Sequence, residues 1–299
     1  MKLKIIFLMA LLACAPFAAL FGADVAQLRR QIDAENKPRK AYPLWLTLGS
    51  ALSTINDYAG AIEAYKNAVK LQPKVEEGRL LLAGAYERAQ LYGQAVVEYK
   101  SALERNPKSY IALVRLAALY LKDGFTSKAM ECYINALTLH PDSETYRQTA
   151  RCAEDMGNLK LAESMLRQAL SSENIYDDNL NLGRVLMLAG DHHESEKYLS
   201  EAVKINPAMA DAYLQLGLLY EKMNDYVLAE KMLQIALEKA PGEGVIHFFL
   251  AQLYYHQNNR AKAITEANLA RTHAKSAMLA AYSAKFQSLL EEETTRFRR

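Results

Sequence analysis

The densest run of side chains able to bind a metal or move a proton is Asp191-His192-His193-Glu194-Ser195-Glu196. Two histidines aimed at one zinc ion from a helix must stand four residues apart, as in His-Glu-x-x-His, and adjacent histidines point in different directions. Asp191 directly precedes a stretch with helical apolar spacing, where a carboxylate caps the free amides of a first turn. The run therefore reads as a capped, solvated turn. His140, His247, His256 and His273 are scattered singly. There is no Gly-x-Ser-x-Gly elbow, phosphate-binding Walker loop or dinucleotide fingerprint. No residue is assigned a catalytic or metal-ligating role, no cofactor is called for, and the chain is not expected to be an enzyme.

Two further sets of reactive groups depend on what positions them. Arg147 and Arg151 lie four apart, so on a helix they share a face. Cys132 and Cys152 are the cysteines downstream of Cys14. They read either as buried thiols packed like small hydrophobes or, in an oxidising compartment, as a disulfide.

The positioning elements are legible from three rows of small residues. Ala68, Ala102, Ala136, Ala169, Ala202, Ala236 and Ala270 are separated by 34, 34, 33, 33, 34 and 34 residues. Ala61, Ala95, Ala129, Ala162, Ser195, Ala229 and Ala263 keep the same intervals, as do Gly49, Ala83, Ala117, Ala150, Gly183, Gly217 and Ala251. Small residues recur where two helices approach closely, so one helix–turn–helix unit is stacked about seven times. Within a unit, apolar residues fall three and four apart, as in Leu113, Leu116, Ala117 and Tyr120. Pro73, Pro107, Pro141, Pro207 and Pro241 separate helices. Gly60, Gly93, Gly124, Gly157 and Gly190 are placed between the two helices of their units. The third and fourth units are one residue short, near Asp142 and Asn174, which predicts altered stacking around 142–176.

The period and residue types resemble the tetratricopeptide-repeat family, most fully at Trp45, Leu48, Gly49, Leu52, Ala61, Tyr65, Ala68 and Pro73. The resemblance implies an all-α, right-handed superhelical solenoid. Seven repeats over 42–275 are expected, with an N-terminal helix and linker over 23–41 and a C-terminal capping helix and tail over 276–299. It also implies that the first helix of each unit lines a concave face. On this chain those positions give Leu46, Leu80, Gly84, Ile111, Val114 and Leu121, then Arg147, Arg151, Leu180 and Arg184, then Leu214, Leu218, Phe248 and Tyr255. Apolar walls thus flank a charged waist. The three guanidinium groups suit a carboxylate or phosphate, but Glu144, Glu154 and Asp177 are placed to neutralise them as surface ion pairs contributing about 0–1 kcal/mol each. The implied function is a scaffold or assembly factor that binds a protein or peptide, or a second copy of itself. The alternative is a carrier whose apolar groove holds a lipid or small hydrophobic ligand.

Formal charge is +2, and without Lys2 and Lys4 the chain balances at 34 basic against 34 acidic residues. A near-neutral body argues against a nucleic-acid partner. Lys2 and Lys4 precede an apolar run from Ile5 to Phe21, followed by Gly22, Ala23 and Asp24. That pattern reads as an export signal over 1–22, from which a periplasmic location is expected. Lipidation of Cys14, within Leu11-Leu12-Ala13-Cys14, and an uncleaved anchor are the alternatives, and membrane association is expected only through this segment. The intact mass of native protein should correspond to a chain beginning near Ala23. A mass retaining Met1 in a cytosolic fraction would refute export, and an acylated Cys14 would establish the lipoprotein.

Overall fold

The computed structural model describes residues 25–297. The export signal, its expected cleavage positions and Cys14 lie outside the described residues. Between Pro141 and Asp142 the chain divides into two compact units. In the first, α1 (25–34) precedes three helical hairpins: α2 (Pro38–Thr54) with α3 (Tyr58–Leu71), α4 (Glu76–Arg88) with α5 (Tyr92–Arg105), and α6 (Tyr110–Lys122) with α7 (Thr126–Leu139). The second unit holds four: α8 (Ser143–Asp155) with α9 (Leu159–Ser172), α10 (Tyr176–Ala189) with α11 (His192–Ile205), α12 (Ala210–Lys222) with α13 (Tyr226–Lys239), and α14 (Gly244–His256) with α15 (Arg260–Thr272). A longer helix, α16 (Ala277–Phe297), packs on α15. The described residues contain no strand, as the period of the apolar positions requires.

The small-residue rows are the contact lines inside the hairpins. Ala61, Ala95, Ala129, Ala162, Ser195, Ala229 and Ala263 are all 0% exposed, and the row from Ala68 to Ala270 is equally sealed. On the facing helices, a methyl group added to Gly183 would stand 2.6 Å from Leu199 Cγ, and one on Gly217 2.7 Å from Leu233 Cγ. Ser195 keeps its row because its hydroxyl donates to the Gly183 carbonyl at 2.7 Å, so the buried oxygen costs little.

A fourth row emerges at the reversals. Asn56, Gln90, Gly124, Gly157, Gly190, Asn224 and Asn258 all have left-handed φ, between 59° and 89°. This conformation stops the first helix, and an Asp or Asn next to it often starts the second. Asp57 accepts from the Gly60 amide, Asn158 from Leu161, Asp191 from Glu194, Asp225 from Leu228 and Asn259 from Lys262. Gly60 and Gly93 fall inside α3 and α5, so the expectation that they lie between helices is corrected. Asp57 needs only its carboxylate and a free amide to cap α3, and Asn56 supplies the left-handed turn in place of glycine. The missing residues of the third and fourth repeats fall in the links α7–α8 and α9–α10. Each spans three residues where the other links between hairpins span four.

Each unit has its own core. In the first, Leu48, Leu52, Tyr65, Leu82, Tyr86, Tyr99, Leu116 and Leu119 are buried, with Ile32 of α1 closing one end. In the second, Leu199, Leu216 and Leu219 form one cluster and Leu233, Ile246, Leu250 and Leu253 another, into which α16 inserts the fully buried Leu290. Each such leucine contributes about 1.5–3 kcal/mol.

Two substitutions should have opposite signs in urea unfolding. Gln90→Gly removes a side chain from a left-handed position and should add about 1 kcal/mol, whereas Gly183→Ala forces Cβ onto Leu199 and should cost about 1–3 kcal/mol. A neutral Gly183→Ala would mean that α10 and α11 do not meet as closely as these distances state.

Candidate functional site

In the first unit, α4 and α6 lie side by side as first helices of consecutive hairpins and leave an open cavity of about 470 Å³. Its apolar surface comes from Leu80, Leu81, Gly84 and Ile111, and Ile111 is 57% exposed. Glu76, Glu77, Glu87, Arg88, Tyr99 and Arg115 complete the lining. Most of these polar groups are tied down. Asn106 donates to Glu76 at 2.6 Å, Arg88 donates to Ser53 Oγ at 2.6 Å, and the Tyr99 hydroxyl donates to Glu87. Burial, reinforced by the Glu87 carboxylate, pushes the Tyr99 hydroxyl pKa well up, so it stays a donor. Glu77 and Arg115 have no hydrogen bond or ion pair among the described residues and are exposed. Of the positions read from sequence, Leu80 and Ile111 meet at this cavity. Leu46, Val114 and Leu121 are half-buried and are not part of its lining.

The three arginines do come together in the second unit, lining a cavity of about 470 Å³ with Gln148, Glu154, Asp155, Asp177, Asp178 and Asn181. Their charges are largely consumed. Arg147 Nε donates to both oxygens of Asp178, at 2.8 and 3.1 Å, and Asp178 is fully buried. Glu144 lies 3.5 Å from the same guanidinium, whose pKa is raised chiefly by the Asp178 bond. Arg184 holds both oxygens of Glu154, one of them at 2.7 Å. Arg151 is exposed and unpaired among the described residues, yet Asp155 and Asp177 share its cavity. Neutralisation thus prevails over an anion cradle, with Asp178 in the part expected of Asp177. On a helix, neighbouring residues face about 100° apart, which puts Asp178 toward Arg147 and leaves Asp177 exposed.

The remaining apolar positions are less open than the pattern suggests. Leu214 is buried in the core cluster of Leu250 and Leu253, which corrects its assignment to an open face. Leu180 and Leu218 are half-buried against neighbouring clusters. Phe248 and Tyr255 are covered in part by Phe286 of α16, with ring centroids 6.0 and 5.8 Å away in near edge-on geometry. Helical spacing identified the face but could not register a side chain arriving from the next first helix.

Cys132 and Cys152 are free thiols. Burial pushes the Cys152 thiol up to about 11, leaving it protonated and a weak nucleophile at neutral pH. Asp191 caps α11 through the Glu194 amide at 3.2 Å, the role read for it from sequence.

Two tetratricopeptide-repeat family models match the chain, over residues 46–110 and 186–243. No curated protein matches it. Among solved structures, a tetratricopeptide repeat protein from Parabacteroides merdae superposes with a TM-score of 0.58 at 18% identity, covering 83% of this chain and 99% of that one. YrrB, described as having an unusual peptide-binding site, gives 0.56 at 20% identity over 60% of this chain and 94% of its own. The type IV pilus biogenesis factor PilW gives 0.57 at 18% identity over 69% and 97%. At these identities the likeness is one of fold.

Asp178→Ala should strand the half-buried Arg147 charge and cost about 3 kcal/mol in chemical denaturation. The loss should shrink when Arg147→Met is added, because the uncompensated charge is then gone. Equal losses in the single and double variants would show that the two groups are not coupled.

Proposed function

We propose that this chain, a tetratricopeptide-repeat protein, is an exported scaffold or assembly factor that binds a segment of a partner protein on the inner face of its first unit. The observation that carries the reading is the open cavity between α4 and α6. Its floor exposes leucine and isoleucine, and its rim retains two charges without partners, Glu77 and Arg115. Exposed apolar side chains gathered at one concavity mark a binding surface, and unpaired charges beside them select by sequence. A lipid carrier would need a more enclosed and less polar chamber, so the peptide reading is preferred. YrrB offers a precedent for peptide binding on this fold. Export, and with it an envelope partner in the periplasm, rests on Lys2, Lys4 and the run Ile5–Phe21. No chemistry is assigned to the protein, whose role is to hold its partner.

Replacing Ile111 by a photoreactive benzoylphenylalanine in the native cell envelope tests the reading. Irradiation should give a discrete polypeptide adduct that is missing when the same group is placed at Val227, an exposed position in the second unit (78% accessible). Matching adduct patterns at both positions, a lipid adduct at Ile111, or none there, would overturn it.

A further inference from the structure

Gly84 sits in the interior of α4, where glycine weakens a helix relative to alanine. Packing accounts for most helix-interior glycines of this chain. A methyl group on Gly49 would stand 2.5 Å from the Tyr65 ring and one on Gly183 or Gly217 would strike a leucine of the partner helix, whereas Gly93, the second residue of α5, is open but is not part of the cavity lining. Around Gly84 nothing lies within 4 Å of that position. Its equivalents in the other first helices are Ser50, Ala118, Arg151, Arg184, Leu218 and Gln252, all with side chains. The glycine therefore weakens α4 without serving its packing, and the space it leaves opens into the cavity it helps to line.

We infer that Gly84 is the floor of a specificity subsite that takes a bulky apolar side chain from an extended peptide, with an acidic residue of the peptide beside Arg115 and a basic one near Glu77. This deepens the peptide-binding reading above and rests on it. Leu80 and Leu81 lie one turn before Gly84 and provide apolar walls. By repeat register, Arg115 is level with Leu81, close to the subsite and free to pair. Glu77 precedes Gly84 by seven residues, about 10 Å along the helix. An extended strand covers that distance in about three residues at roughly 3.3 Å each. The complementary segment therefore reads basic-x-x-apolar-acidic.

Three fluorescein-labelled peptides containing Lys-Gly-Gly-Leu-Glu, Lys-Gly-Gly-Ala-Glu and Lys-Gly-Gly-Leu-Lys test this by polarisation against the full chain. The first should bind wild type best. Gly84→Ala should weaken it about threefold and Gly84→Leu about tenfold or more, although both raise the thermal midpoint because each residue favours helix over glycine. Binding and stability thus move in opposite directions, which a folding defect cannot imitate. Arg115→Glu should shift preference to the third peptide. Unchanged affinity in Gly84→Leu, equal binding of the leucine and alanine peptides, or no binding of any peptide to wild type would overturn the subsite. If the Ile111 adduct forms in the envelope under those outcomes, peptide binding stands and only the subsite falls. Without that adduct, both fall.

Discussion

The distance between the two helices of a hairpin is the constraint on which the rest of this protein depends. Alanine, glycine and one hydrogen-bonded serine line the contact, and nothing larger fits: the methyl group of an alanine at Gly183 would already overlap Leu199. Close approach lets Tyr65, Leu199 and Leu233 pack over glycines on the facing helix. It also sets how far the second helix of a hairpin stands behind the first, on which the cavity-lining side chains of α4 and α6 are carried. A binding face of this kind is shaped by residues that never touch the ligand.

Architecture was legible because close approach and chain reversal each leave a periodic trace. The three small-residue rows, the link prolines and the two shortened links are all visible in the residue order, and the helices fall where the rows require. The left-handed row was partly hidden, because asparagine, glycine and a single glutamine share one backbone conformation. Gly60 and Gly93 misled because glycine alone does not mark a turn, and the left-handed bends before them fall at Asn56 and Gln90.

The face of each first helix was legible, but its accessibility was not. Leu214 and Ile111 both point inward by register, yet one is buried in the core and the other is 57% exposed. The difference comes from the neighbours: Phe286 and Leu290 of α16 add to the cluster containing Leu214, whereas Ile111 faces the space beside Gly84. Electrostatics followed the same rule. Three arginines on successive faces suggested an anion cradle, and a buried aspartate one position from the expected one turned most of that charge inward. Gly84 was visible as a member of the inner face, but only the empty volume around it distinguishes it from the packed glycines.

The left-handed reversals have a consequence for how the chain reaches this structure. Three residues separate Thr54 from Tyr58, and comparable gaps close the other hairpins, so each helix finds its first packing partner with minimal loop-closure entropy. Most burial is then complete within one or two repeats of sequence, a low-contact-order arrangement that folds quickly and from many starting points. Any hairpin can serve as a seed, and the order in which neighbours join is set by local turn chemistry. Hairpins reversed at glycine or asparagine close readily, whereas the one reversed at Gln90 must first push a side chain into a disfavoured region. The repeat that carries the open cavity is thereby the one with the costliest reversal among the described hairpins.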